Sequence, residues 1–211
     1  MHISNIQSIH YSQPEYWENS YNTGEMAWDL GEPTPIFKNW IHSQKKTLSI
    51  CILGAGNGWD ALYFAEKGHE VTAVDFADSA ITNMTDSAKK KKLNLNILHE
   101  DIFNLEILYD AQFDIVLEYT CYCAIDPNKR TNYIQMVNNL LKPSGKLVGI
   151  LFPIDKELDD NGPPFGVDIN TTITLFSKYF TLVKKEIPKL SVERRRGREV
   201  FVILKKNECE D

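Results

Sequence analysis

Gly54-Ala55-Gly56-Asn57-Gly58 follows the apolar run Leu48 to Leu53 and precedes a helical pattern from Trp59 to Lys67, closed by Gly68. Glycines so placed let the backbone approach a ligand closely and leave N–H groups free at a helix N-terminus. The third glycine comes two residues after the second, whereas the dinucleotide fingerprint G-x-G-x-x-G needs three, so a pyrophosphate cradle is the poorer match. Two acids stand in register with this loop. Asp75 ends the next apolar run, Val71 to Val74, 21 residues after Gly54. A carboxylate there can accept both hydroxyls of a ribose, each charged hydrogen bond contributing about 1.5–3 kcal/mol. Asp101, in His99-Glu100-Asp101-Ile102-Phe103, ends the third run, where it can accept the N–H of an adenine amino group while Ile102 and Phe103 flank the ring. Alone, Asp101 would read as a solvated loop acid. In register with the glycine loop and Asp75, it points to a nucleoside site.

Other reactive residue types carry less. Cys51 lies inside an apolar run, Cys121 and Cys123 are one residue apart, and Cys209 is in the charged tail. This is neither a C-x-x-C pair nor a zinc spacing, so buried or loop thiols are expected and no metal site. His2, His10, His42, His69 and His99 form no H-x-x-x-H pattern and read as surface or element-end residues. Lys89 to Lys92 end a helical stretch, where cations suit the helix dipole and a solvated face. Arg194, Arg195, Arg196 and Arg198 lie between the last two strands and read as a solvated hairpin, with attraction of an anionic acceptor as the alternative.

The elements that position the loop and the acids alternate between β-rich and helical. Ala80, Ile81, Met84 and Ala88 share one helical face behind Asp78, a plausible N-cap. Leu95 to Leu98 and Phe113 to Leu117 are the third and fourth strands. Asp126-Pro127 then opens a helix with a buried stripe from Tyr133 to Leu141, which Pro143-Ser144-Gly145 is expected to stop. Lys146 to Phe152 follows as a strand, then a loop at Asn161 to Gly166 and a short helix near Thr171 to Ser177. Phe180 to Ile187 and Val200 to Leu204 are suited to antiparallel pairing. The pattern predicts an α/β fold, a doubly wound, mostly parallel seven-stranded sheet with a C-terminal antiparallel strand, its ligand at the carboxyl ends of the strands. The first 45 residues stand outside the alternation and hold Trp17, Trp28 and Trp40, three of the four tryptophans, with Tyr11, Tyr16 and Tyr21. They read as a packed cap or a lid over the ligand edge.

Composition bounds the remaining classes. With 211 residues, one domain is expected: residues 1–45 a lid segment, 46–206 the core and 207–211 a charged tail. The formal net charge of −6 disfavours a nucleic-acid binder, which needs a positive field. No apolar run reaches the ~20 residues of a membrane span, and Met1 to Gln13 resembles neither a signal nor a transit peptide. A cytoplasmic location is the expectation. The oligomeric state is left open, a monomer being favoured.

The ordered set of the glycine loop, Asp75, Asp101 and Leu140-Leu141-Lys142-Pro143-Ser144-Gly145 resembles a class I S-adenosylmethionine-dependent methyltransferase, with a Rossmann-like fold. More narrowly, the chain is similar to the thiopurine, thiol and halide methyltransferase family from about Tyr16 to Lys205. That likeness rests on Trp28-Asp29-Leu30-Gly31 with Pro33 and Pro35, on Phe113-Asp114 followed by Glu118-Tyr119-Thr120-Cys121-Tyr122-Cys123-Ala124-Ile125, and on Gly162-Pro163-Pro164-Phe165 with Arg195-Arg196-Gly197-Arg198-Glu199. The Tyr-Thr-x-x-Cys-Ala-Ile run is similar to the thiol/halide branch; the thiopurine branch typically has arginine where Tyr119 stands.

The resemblance implies S-adenosyl-L-methionine as cofactor and S-adenosyl-L-homocysteine as product. It further implies that Trp17, Tyr21 and Trp28 close over the cofactor, with Gly54 and Gly56 at its methionine end and Asp75 on its ribose. Asp101 and Ile102 would hold the adenine, and Tyr119 would line the junction with the acceptor. Relatives often have Trp where Tyr21 stands, and thiol/halide relatives can carry Tyr where this chain has Phe152. The expected reaction is an in-line displacement onto a small-molecule acceptor, a thiol, hydrosulfide or halide. Tyr119 and Thr120 are the expected positioning groups, and Tyr122 is a candidate that could point away. A thiopurine-like or other heteroaromatic acceptor, or a non-catalytic cofactor-binding protein, are the alternatives.

Overall fold

The computed structural model describes residues 10–159 and 161–208; His2, Cys209 and the end of the expected charged tail lie outside the described residues. Seven strands form one sheet in the order β3-β2-β1-β4-β5-β7-β6. These are β1 (Ser49–Leu53), β2 (Glu70–Asp75), β3 (Asn96–His99), β4 (Phe113–Tyr119), β5 (Leu141–Leu151), β6 (Phe180–Glu186) and β7 (Val200–Lys206). The first five pair in parallel, and β7 runs antiparallel to both β5 and β6. The order reverses between β1 and β4, so the carboxyl ends of β1 to β4 share one edge with a crevice where crossovers diverge.

Alternation along the strands feeds two cores. Cys51 and Leu53 face one layer with Tyr133, Val137 and Leu140, while Ile50 and Ile52 face the other with Phe37, Phe64 and Met84. The helices are α1 (Pro14–Thr23), α2 (Pro35–His42), α3 (Trp59–Glu66), α4 (Asp78–Lys91), α5 (Leu105–Leu108), α6 (Arg130–Leu140) and α7 (Ile169–Phe176). The sequence reading had no helices in the amino-terminal segment. Proline at the first helical position starts both α1 and α2, where its missing N–H is no loss. Buried Ile36, Phe37 and Ile41 anchor α2 to the sheet.

Three boundaries differ from expectation. Asp78 is the first residue of α4 and Ala77 its cap, because the backbone N–H of Ala77 is already held by Asp75. Asp126-Pro127 opens a 3-10 turn, Pro127–Lys129, that runs into α6. Pro143-Ser144-Gly145 does not stop α6: the helix ends at Leu140 and β5 begins at Leu141, passing through those residues with a register shift between Phe113 and Ile115. Pairing of Leu141 with Phe113 overrides the local turn preference, and the bulge absorbs the extra residues.

Candidate functional site

The shared strand edge carries a cavity of about 200 Å³ whose wall includes Gly54, Gly56, Asp75, Asp101 and Ile102 from the sheet edge and Trp17, Tyr21 and Trp28 from the amino-terminal segment. Every residue expected around a nucleoside is therefore brought together. Tyr119 is not on this wall. It lines a second cavity of about 70 Å³ that shares Trp28, Gly54, Gly56 and Thr120 with the first.

The glycine loop is shaped by backbone need. Gly54 and Gly56 have φ of +57° and +56°. A Cβ on Gly54 would sit 3.2 Å from the Cys121 Sγ, and one on Gly56 3.4 Å from the Tyr21 hydroxyl, so bare backbone faces the ligand space. Gly58 caps α3 with φ +75°, and a Cβ there would meet Met84 at 2.5 Å. Asp75, 9% exposed, accepts the Gly56 N–H at 2.8 Å and the Ala77 N–H at 3.0 Å, one on each oxygen. Burial pushes its carboxyl pKa up, opposed by those N–H groups. Asp101 accepts the Phe103 N–H at 3.0 Å and so caps the 3-10 turn Ile102–Asn104, which sets Ile102 and Phe103 on the cavity wall. A ribose–adenine unit fits this donor set: a buried carboxylate with further acceptor capacity, bare glycine backbone, and an acid flanked by apolar side chains.

The aromatic side of the cavity is a set of edge-to-face contacts. Trp28 packs 5.3 Å from Trp17 and 5.8 Å from Tyr21 between ring centroids. Trp17 donates its indole N–H to the Tyr11 carbonyl at 2.7 Å. Burial, then the Asp75 charge, pushes the Tyr21 phenol well up. Asp29 ties this segment to the glycine loop, accepting the Trp59 indole N–H at 2.9 Å and the Asn57 side-chain amide.

Arg194, Arg196 and Arg198 are exposed, as expected of a solvated hairpin, whereas Arg195 departs from that expectation. Arg195 is 2% exposed, stacks 4.7 Å from the Tyr119 ring centroid and 5.0 Å from that of Phe152, and donates to the Trp28 carbonyl at 2.6 Å. Arg194 donates to the Asp29 carbonyl, and Arg198 pairs with Asp155 at 2.6 Å. The cluster locks the Trp28-Asp29 turn against the sheet edge, whose backbone carbonyls need donors. Lys89, Lys90 and Lys91 do occupy the last turn of α4.

Beyond β4, Thr120 has φ +63° and reaches both cavities, whereas Tyr122 points away, 1% exposed in the core. Buried Glu118 holds this turn, accepting the Tyr122 N–H at 2.8 Å and the Tyr133 hydroxyl at 2.6 Å. Burial raises its pKa to about 7. The Tyr119 hydroxyl donates to Glu199 at 2.7 Å. The sequence reading gave no site role to Glu199, His10 or Cys121, and named Tyr11 only as part of the aromatic segment. One signal was available for Glu199: strand alternation puts it on the same face as Phe201, an inward position for a charged residue. The described residues contain no cluster of three or more potential metal ligands, and no helix among them is long and apolar enough to cross a membrane.

Comparison with known proteins agrees with this geometry. A sequence model of the family described as Thiopurine S-methyltransferase (TPMT) matches residues 12–207. The chain is 30% identical to "Probable thiol methyltransferase 2" of Arabidopsis thaliana, covering 87% of this chain and 81% of that one. It is 28% identical to "Thiocyanate methyltransferase 1" of Brassica oleracea over the same shares, and 24% identical to a thiopurine S-methyltransferase of Vibrio atlanticus over 91% and 98%. In fold it is similar to Burkholderia thailandensis 1,6-didemethyltoxoflavin-N1-methyltransferase, solved with S-adenosylhomocysteine, at TM-score 0.72, 20% identity and coverage of 98% and 99%. The chain thus belongs to the thiopurine S-methyltransferase family and is an S-adenosylmethionine-dependent methyltransferase.

Proposed function

We propose that the protein methylates a small soft nucleophile: a thiol, hydrosulfide, halide or thiocyanate. The observation that carries this reading is the second cavity, about 70 Å³ between Trp28, Gly54 and Tyr119 and adjoining the first, whose size suits a small acceptor. The relatives named for thiol and thiocyanate methyl transfer support it. A heteroaromatic acceptor is the second reading, favoured by the bacterial thiopurine relative matched over 98% of its length, and it would require the Trp28 wall to move.

The cofactor, when bound, supplies an electrophilic methyl group on a cationic sulfur. In this reading Asp75 accepts the ribose hydroxyls, Asp101 the adenine amino N–H, and Ile102 and Phe103 flank the base. Gly54 and Gly56 admit the methionine end. Trp17, Tyr21 and Trp28 cover the site as a lid within the same domain, and aromatic faces favour a desolvated cation by about 0.5–2 kcal/mol. Tyr119 and Thr120 position the acceptor. Alignment of two reactants in a water-excluded site can lower a barrier by about 7–11 kcal/mol. The enzyme so read is cytoplasmic and acts on a small molecule.

An acceptor panel of iodide, thiocyanate, hydrosulfide, an aryl thiol and a thiopurine, read out as S-adenosylhomocysteine formed, tests the proposal. Turnover of the small nucleophiles is expected. Activity confined to the bulky aromatic compounds would reject it.

A further inference from the structure

We propose that Glu199, acting through Tyr119, takes the proton released when the acceptor is a protic sulfur compound, so that the site suits thiols and hydrosulfide better than halides. The inference rests on the small-nucleophile reading above and narrows it.

Glu199 stands just before β7 and is 0% exposed. One carboxyl oxygen accepts the Tyr119 O–H at 2.7 Å, and the other has no hydrogen-bond partner among the described residues. An unfilled acceptor in that setting is costly, so its retention calls for a role. Tyr119 is itself clamped, with Phe37 edge-on at 6.0 Å and Arg195 over its face. A tyrosine hydroxyl has one proton and two lone pairs. With its proton committed to Glu199, the Tyr119 oxygen has only acceptor character left to offer the cavity that its side chain lines. That suits an S–H group and offers nothing to a bare anion. Glu199 and Arg195 are the charged groups that act on this hydroxyl.

The step balances. The acceptor sulfur bonds the methyl carbon as the methyl–sulfonium bond breaks, its electron pair staying on the cofactor sulfur. The S–H proton passes to the Tyr119 oxygen, and the Tyr119 proton passes to Glu199. The positive charge of the sulfonium and the negative charge of the carboxylate disappear together, so no new charge is created in a low-dielectric site. Tyr119 gains one proton and gives one, remaining neutral throughout. Burial raises its pKa, which favours that neutral form.

The test compares wild type, Glu199→Gln, Tyr119→Phe and the double variant, using a small alkyl thiol and iodide as acceptors and calorimetry for S-adenosylhomocysteine and for each acceptor in that complex. General-base assistance is worth about 10²–10⁴-fold. Each single variant is therefore expected to lose at least about tenfold more kcat on the thiol than on iodide. The thiol deficit should shrink as pH approaches the thiol's own pKa. The double variant should be no worse than Tyr119→Phe, and Tyr119→Phe should weaken thiol binding more than iodide binding. Equal losses on both acceptors, with S-adenosylhomocysteine affinity retained, overturn the relay. Should Glu199→Gln fail to bind S-adenosylhomocysteine, Tyr119→Phe, which keeps the ring beneath Arg195, decides the same comparison. Turnover of neither acceptor by the wild type overturns the small-nucleophile reading itself.

Discussion

Asp75 joins the glycine loop to its strand end with one N–H bond on each oxygen. Asp75→Asn would turn an amide N–H toward one of those backbone N–H groups and remove the charge proposed to hold the ribose. Loss of charged hydrogen bonds at about 1.5–3 kcal/mol each predicts at least tenfold weaker S-adenosylhomocysteine binding by calorimetry. Unchanged affinity in a folded variant would reject the ribose assignment. Two other acids control stability. Burial raises Glu118 to about 7 and Asp60 to about 6. A raised carboxyl pKa stabilises the fold fully below the unfolded value of about 4, and that contribution is lost as pH rises through the folded value. The urea midpoint should therefore fall between pH 5 and 7. Glu118→Gln can keep both contacts, its oxygen accepting the Tyr122 N–H and its amide N–H donating to the Tyr133 hydroxyl, so its midpoint should vary less with pH. A parallel fall in variant and wild type would contradict the assignment.

Among the elements, the strand–loop–helix succession from β1 to α4 was legible because its signals are local: an apolar run, glycines, then a 3.6-residue period. The turn Trp28 to Gly31 was visible only as a motif, and its anchoring was not. Asp29 reaches Asn57 and Trp59 across about thirty residues, and from the far end of the chain Arg194 donates to the Asp29 carbonyl and Arg195 to that of Trp28. Asp29→Ala should free the Trp28 wall, lowering S-adenosylhomocysteine affinity at least about fivefold and stability by about 1 kcal/mol, from the half-buried Asn57 and Trp59 donors left unpaired. Calorimetry and urea unfolding check both, and an unaltered affinity would show that the wall holds without this anchor. Gly58→Ala carries two penalties, a φ of +75° and a Cβ 2.5 Å from Met84. A loss above about 1 kcal/mol in urea unfolding is expected.

On the scale of the whole molecule, the net charge of −6 opposes an anionic acceptor. Arg196 pairs with Glu193 at 2.8 Å and Arg198 with Asp155, while Arg194 and Arg195 hold neutral backbone carbonyls and keep their charge, so only those two arginines oppose the overall field. Screening should therefore help. KM for thiocyanate or iodide should fall as ionic strength rises from about 0.01 to 0.15 M, while KM for a neutral thiol stays level. A rising KM for the anions would show that the local charge of Arg194 and Arg195 outweighs the net charge.

By itself, the sequence determined the alternating sheet, its ligand edge and the register of Gly54, Asp75 and Asp101 along it. Those follow from periodicities and breaks within short windows, and parallel crossovers bring successive carboxyl ends to one side. Only the tertiary structure decided what surrounds Tyr119. β7 inserts antiparallel between β5 and β6, so Phe201 pairs with Ile150, and Ile150 in turn with Tyr119. That placement delivers Glu199 to the Tyr119 hydroxyl and Arg195 to its ring, 80 and 76 residues further along the chain. Arg195 and Glu199 look solvated to any local reading, because what buries them is a neighbour chosen by sheet order and not by nearby residues.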